Sequence, residues 1–479
     1  MRPHIIFRYV GIVLLLNAVF LLISCVISGF NSDSAFFPLL YTALISALFG
    51  VFPLIFVPPT KQIENKEGFT IVVLSWLLSC LFGVIPYVMW GGEFNFTNAW
   101  FESVSGFTTT GSSIITDIEV LPLGLLFWRS ATHWIGGIGI IIFVLAVLPH
   151  MGTAGMILYR TEISSLAVDN FRYRSQKTMQ ILLVIYVGLT LAETICLLLC
   201  GMSLFDAVTH SFATIATGGF SPKNASIGFY KSGTIEIVVI VFMILSGIHF
   251  GLLFAALTGK PSELWKSSIV RYYLVALAAG VSAVTISVHG SQFHSWANAL
   301  RSAAFQVISI GTSTGFATAD SAIWTPFAQL VMIFFTLQCA CAGSTSGGIK
   351  VDRIVLFWKA LVKRIKKMQH SAAVVVVKID TVPFEDDEVE MNILFISFYL
   401  GIVLLSACIL TALGVDMLSA FSGSAATMGN VGPGFGMVGS MSNFSHIPTL
   451  GKWVLTATML LGRLEIFGLI LFLAARSWK

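Results

Sequence analysis

The stretch Ser105-Gly106-Phe107-Thr108-Thr109-Thr110-Gly111 decides the fold, because relatives of it return three times. They are Ala216-Thr217-Gly218-Gly219-Phe220-Ser221, Gly311-Thr312-Ser313-Thr314-Gly315-Phe316 and Met428-Gly429-Asn430-Val431-Gly432-Pro433-Gly434. With Gly111, Gly219, Gly315 and Gly432 as common origins, Ala99, Ala207, Ala303 and Ala420 each lie 12 residues earlier. The glycines are 108, 96 and 117 residues apart. Each cluster closes a short half-apolar stretch and sits between two apolar runs. A unit near 110 residues, present four times, is a signal of internal duplication.

The physics of that unit is specific. A helix of roughly eleven residues is about 16 Å long, too short to cross a hydrocarbon core of about 30 Å. It can enter partway and return as an extended segment, provided the exposed backbone is buried in protein or lines a watery cavity. Glycine opens dihedral angles closed to other residues, so successive carbonyls can point one way. Four such segments around one axis would present rings of carbonyl oxygens in place of an ion's hydration shell. The negative C-terminal ends of the short helices would favour a cation. Small residues at Thr108, Thr109, Thr312 and Ser313 leave the backbone free to approach. Glu93, Glu102, Asp117 and Glu119, with Asp206, Asp320 and Asp416 on other outer connections, read either as a solvated surface or as a cation-attracting vestibule.

Composition sets the class around this motif. Of 479 residues, 56% are hydrophobic and only 10% charged, and the mean hydropathy is +0.89. Soluble domains are about 25% charged, so a cytosolic enzyme, a nucleic-acid binder and a disordered scaffold are excluded. The seven cysteines lie in or beside apolar runs and read as soft core residues rather than a disulfide framework. The fold class expected is an all-α polytopic membrane protein with ten spans and four pseudo-repeats of span, pore helix, filter loop and span around a central pore. The spans are predicted at Ile5–Gly29 and Phe36–Val57, then near 69–90, 125–149, 179–201, 233–257, 271–289, 324–342, 392–414 and 452–475. The run at 324–342 is the least regular. The first run is longer than a signal-peptide core and lacks a cleavage site. The expected units are two opening helices (1–60), then pore repeats at 61–152, 153–258, 259–378 and 379–479. One set of connections carries 21 of the 27 Lys and Arg residues and the other carries four, with Arg129 and Arg463 inside spans. Positive charge stays cytoplasmic, which predicts both termini inside.

Two further features stand out. Gly343–Lys350 is a polar, Gly-rich break at the end of a span. It is not a phosphate loop, because Ile349 occupies the position that needs Lys and no strand precedes it; no nucleotide site is legible in this chain. It reads either as an ordinary helix end or as an unwound segment under the filter, with Gly343, Gly347 and Gly348 as hinges. Arg463 lies mid-span, where a charge costs about 2.5–3.5 kcal/mol. It is either a buried structural ion pair or a positive barrier in the permeation path. Glu465 is about 200° around the helix and a poor same-face partner. Lys350 either plays a similar part or snorkels to the cytoplasm. Arg129 and His133, four apart, read as snorkelling and packing, and Glu193 and Glu236 as single acids that are either proton or sodium sites or hydrogen-bonded structural groups. No His/Cys/Asp cluster has metal spacing and no Ser/His/Asp constellation is legible, so an enzyme is not expected. The basic stretch Lys350–Lys367 and the acidic run Glu385–Glu390 read as lipid attraction and a solvated linker, or as a docking surface.

These residues resemble the Trk/Ktr superfamily of potassium-uptake membrane subunits, most closely the TrkH branch. Besides the four glycine clusters, the carrying stretches are Trp134-Ile135-Gly136-Gly137-Ile138-Gly139-Ile140, Gly343-Ser344-Thr345-Ser346-Gly347-Gly348-Ile349-Lys350 and Gly462-Arg463-Leu464-Glu465-Ile466-Phe467. The resemblance spans nearly the whole chain. It implies a single-chain pore, dimeric in a bacterial inner membrane. Potassium, the transported ion, would be held by Thr109 and Thr110, Thr217 and Gly218, Ser313 and Thr314, and Asn430 and Val431. Only one glycine is shared by all four segments, so a short filter with loose discrimination is expected. The resemblance also implies a gating role for Gly343–Lys350 and a cytosolic nucleotide-binding ring of the TrkA type as partner, which would supply any ATP or NAD control. The competing mechanism is a proton- or sodium-coupled symporter on the same scaffold.

Overall fold

The computed structural model describes residues 2–60, 65–146, 171–370, 375–380 and 382–466. Long apolar runs form helices because a helix satisfies its own backbone polar groups where water is absent. The first two, α1 (Pro3–Phe30) and α2 (Phe36–Phe56), fold back on each other. A methyl on Gly11 would clash with Gly50 O, so small residues set how closely they approach. Next come α3 (Asn65–Trp90), the short α4 (Phe96–Phe107), α5 (Leu123–Ala146), α6 (Phe171–Leu199) and the short α7 (Leu204–Ile215). They are followed by α8 (Gly233–Ser246), α9 (Phe250–Leu257), α10 (Ser262–Lys266), α11 (Ser268–Val288) and the short α12 (Trp296–Gly311). The chain continues through α13 (Pro326–Leu337) and α14 (Val351–Gln369), then β1 (Val377–Ile379) and β2 (Val382–Phe384). It closes with α15 (Asp386–Ala412), the short α16 (Met417–Met428) and α17 (Thr449–Arg463).

Among the described residues, six helices are long and apolar enough to cross a membrane, or seven if α8 and α9 count as one span. The runs predicted at 125–149 and 452–475 extend past the described residues, so that count covers only part of the ten expected. The run predicted at 233–257 is bent by 107° between α8 and α9. The run at 324–342 is helical only over Pro326–Leu337. The two breaks meet. Phe250 N donates to Gly343 O at 3.2 Å, and Cys341 N donates to Gly247 O at 3.0 Å. His249 Nδ1 accepts from Gly251 N and so caps α9. Each break satisfies backbone groups that the other exposes, which is how non-helical backbone survives at such depth.

Two smaller differences have local causes. The fold is not purely helical, because β1 and β2 pair as an antiparallel hairpin across Asp380. Asp380 also accepts from Ser268 N and so caps α11. The acidic run is not a linker: Glu385 and Glu388 form a capping box, and Asp386, Asp387 and Glu388 make the first turn of α15. Acids there match the positive end of the helix dipole. The far end of the run at 452–475, the boundary at 152–153 and the last residues of the run at 125–149 lie outside the described residues.

Candidate functional site

Each of the four short helices ends where its glycine cluster begins. Asn95, Ser203 and Asp416 cap α4, α7 and α16 by accepting from the N–H three residues on. These three helices have 12 residues, and α12 has 16. Even the longest covers about 24 Å, too little to span.

Past each helix the backbone repeats one conformation four times. Thr109, Thr217, Ser313 and Asn430 take positive φ of 52°, 53°, 55° and 51°. Gly111, Gly219, Gly315 and Gly432 follow at 82°, 81°, 84° and 102°. Between them, the N–H groups of Thr110, Gly218, Thr314 and Val431 reach back to the carbonyls of Ser105, Ala213, Ser309 and Ala426 at 2.8–2.9 Å. These bonds use up the N–H groups on the helix side. The second positive-φ position was not legible in the sequence, because three of its occupants are hydroxyl residues and one is Asn.

The four segments close a ring. A methyl built on Gly111 would collide with Gly218 O, on Gly219 with Thr314 O, on Gly315 with Val431 O, and on Gly432 with Thr110 O. Each glycine therefore abuts the carbonyl of the residue before the next glycine, and the fourth returns to the first. Ser112 Oγ donates to Gly432 O at 2.8 Å, sealing that last junction. All four glycines line one cavity of about 140 Å³. Several side chains beside the ring bond to one another or to neighbouring helices. Thr108 and Thr110 share a hydroxyl contact at 2.8 Å, as do Thr312 and Thr314. Asn430 Nδ2 donates to Thr110 Oγ1 and Met459 O, both at 3.0 Å. The ring brings main-chain oxygens of four segments together within a shell of small residues.

The residues 338–350 lie against the ring. Gly347 N donates to Ser313 Oγ at 3.2 Å, and Thr345 Oγ1 donates to Ile215 O at 2.9 Å. Gly343 and Gly348 have φ of 73° and 72°. Gly347 does not take positive φ; it is small because a methyl there would strike Gly429 O. Arg463 is buried and donates to Thr345 O at 2.8 Å and to Gly136 O at 3.0 Å. Lys350 is 3% exposed and does not snorkel; its Nζ lies 3.3 Å from Glu465 Oε1. Arg353 takes the other oxygen at 2.6 Å. Glu465 is not on the helix at all: it lies past the end of α17 with φ of 47°, and has its own partners.

The family model described as "Cation transport protein", TrkH, matches residues 42–479. The chain belongs to the TrkH family. It is 36% identical over 489 residues to the Trk system potassium uptake protein TrkH of Vibrio parahaemolyticus, with both chains fully covered. It is 37% identical over 422 residues to the TrkH of Salmonella typhimurium, covering 87% of each. The crystal structure of the potassium transporter TrkH from Vibrio parahaemolyticus superposes with a TM-score of 0.90 at 34% identity, over the whole of both chains. This multi-pass membrane chain is thus a transport protein, not an enzyme, and the resemblance read from its motifs holds.

Arg129 and Glu102 are placed differently from their sequence reading, whereas Glu236 is a structural acid and His133 is packed, as read. Arg129 does not snorkel: it is 1% exposed and pairs with Glu102, which is buried rather than in a vestibule. Glu236 is paired with Arg301 at 2.6 Å. His133 is stacked on Phe220 at 4.1 Å. These pairs were illegible because the partners are far apart in sequence and on different elements.

Proposed function

We propose that this chain is the pore subunit of a potassium-uptake system in a bacterial inner membrane. Potassium is bound by the carbonyls of Thr109, Thr110, Thr217, Gly218, Ser313, Thr314, Asn430 and Val431. The cyclic abutment of Gly111, Gly219, Gly315 and Gly432 on their neighbours' carbonyls carries this reading. The relatives' names, potassium uptake proteins, supply the ion. On this reading the four segments belong to four pore repeats, at 61–152, 153–258, 259–378 and 379–479, behind two opening helices. Gly343–Lys350 is the gate, and Arg463 holds it by the carbonyl of Thr345. Opening then means withdrawing the hydrogen bonds of Thr345 and Gly347 from the ring. The chain works as a homodimer with both termini cytoplasmic. A nucleotide-binding ring of the TrkA type docks near α14 and shifts the gate's equilibrium.

Rubidium uptake into liposomes holding the purified chain tests this. Uptake down the rubidium gradient alone, in either direction, supports a conducting pore. Uptake that appears only with a pH or sodium gradient overturns the pore reading in favour of a coupled symporter.

A further inference from the structure

We propose that Arg129 and Glu102 form a buried strut that fixes the first and second ring segments against each other, and that they are positioning residues for ion selectivity. The inference rests on the reading of those segments as the filter.

Extended backbone beyond the ring must be held in place. Past each glycine the chain has no helix to satisfy it, so it needs side-chain partners. The residue nine positions before each ring glycine is Glu102, His210, Gln306 or Gly423. The first three reach across to the outgoing strand of their own segment. Glu102 accepts from Ser113 Oγ at 3.0 Å and from Ile114 N at 3.1 Å. His210 Nε2 meets Ser221 Oγ at 3.0 Å. Gln306 Nε2 donates to Ala319 O at 2.5 Å. In the fourth, Gly423 has no side chain, and its neighbour Ser422 accepts from Phe435 N at 2.8 Å. One helix position thus braces three of the four outgoing strands.

Only the first brace is charged, and its charge is answered from α5. Arg129 Nε and Nη2 lie 2.8 Å from Glu102 Oε1. The same guanidinium leaves the first segment and enters the second. Its Nη1 donates to Ser221 O at 3.2 Å, and its carbon sits 4.0 Å over the Phe220 ring. Phe220 directly follows the ring glycine Gly219. That aromatic also stacks on His133, one turn further along α5, whose Nδ1 accepts from Phe220 N at 3.5 Å. A methyl on Gly218 would strike that imidazole. Both charges are buried, at 1% and 0% exposure. Burying two ions is costly, and an apolar pair of the same volume would hold the helices together as well or better. What an apolar pair lacks is direction. A planar fork that binds a carboxylate on one side and a carbonyl on the other sets a distance between two strands. Selectivity by carbonyl oxygens depends on that kind of spacing.

The test compares Arg129→Met, Arg129→Lys, Glu102→Gln and Ser113→Ala with the unaltered chain in liposomes. Sodium and rubidium fluxes are measured per folded protein, together with thermal unfolding. The sodium-to-rubidium ratio should rise severalfold in Arg129→Met and less in Arg129→Lys, which keeps the ion pair but not the fork. Glu102→Gln, which retains an acceptor for Ser113 and Ile114, should also rise less than Arg129→Met. Ser113→Ala should raise the ratio slightly. A lower unfolding temperature with an unchanged ratio overturns the strut as a selectivity device. If Arg129→Met does not fold, Glu102→Gln and Ser113→Ala decide the matter, and an unchanged ratio in both overturns it. An unaltered chain that passes no rubidium overturns the filter reading itself, which is a separate failure.

Discussion

Gly219 shows how much a single residue can carry. Its φ of 81° lies where an L side chain is strained, and a methyl there would strike Thr314 O. Gly188, on α6, has open space around it and no such dihedral. Left-handed backbone at a non-glycine costs about 1–3 kcal/mol before any clash is added. Gly219→Ala should therefore abolish rubidium uptake while Gly188→Ala keeps it, as measured in the same liposomes. Equal uptake in the two would mean the ring is not the conducting path. Arg463 is the second case. Its guanidinium bonds to Thr345 O and Gly136 O tie the 338–350 segment to α5. A charge-assisted hydrogen bond contributes about 1.5–3 kcal/mol. Losing the one to Thr345 would shift a closed loop towards open by roughly tenfold to a hundredfold. Arg463→Ala should accordingly raise basal rubidium uptake; unchanged uptake in a folded variant removes Arg463 from gating. The ring glycines were legible in sequence because only glycine suits their geometry. The left-handed Thr109, Thr217, Ser313 and Asn430 were not, because nothing in a Thr or Ser announces positive φ.

At the scale of elements, the informative features are the places where helices stop. The run 233–257 is apolar throughout, so its hydropathy reads as one span. The 107° bend between α8 and α9 arises from backbone bonding to Cys341 and Gly343, about a hundred residues away. No local pattern encodes a tertiary hydrogen bond of that kind. By contrast the break at 343–350 was legible, since Gly and Ser interrupt a hydrophobic run visibly. Its lower end is clamped between α14 and the tip of α17. Glu465 accepts from Arg353 at 2.6 Å and faces Lys350 at 3.3 Å, and both cations are almost wholly buried. Removing one partner of a buried pair leaves an uncompensated charge and costs about 3–5 kcal/mol. Glu465→Gln should thus lower the thermal unfolding midpoint clearly, while Lys363→Gln, whose partner Asp386 is exposed, should barely move it. Similar midpoints for the two would show that the clamp adds nothing to stability.

For the molecule as a whole, the proposed conduction axis through the ring leaves open which end faces the cytoplasm. The distribution of Lys and Arg addresses that question, with 21 on one set of connections and four on the other. The bias acts during insertion, when short loops rich in Lys or Arg are retained on the inner side. Lys231 follows the short helix at Ser226–Tyr230 and is exposed on the side of the ring cavity's loops. Arg364 is exposed on α14, which follows the 338–350 segment. The described loops beside the ring cavity also hold Glu93, Asp117 and Glu119, which accept hydrogen bonds from Thr116 and Asn224. If the charge rule governs, a membrane-impermeant thiol reagent added to intact cells should label Lys231→Cys and spare Arg364→Cys, in a background lacking the seven native cysteines. In inside-out vesicles the pattern should reverse. Labelling of Arg364→Cys from outside would invert the molecule, and ions drawn to the ring cavity would then enter from the cytoplasm, turning an uptake system into one loaded from within.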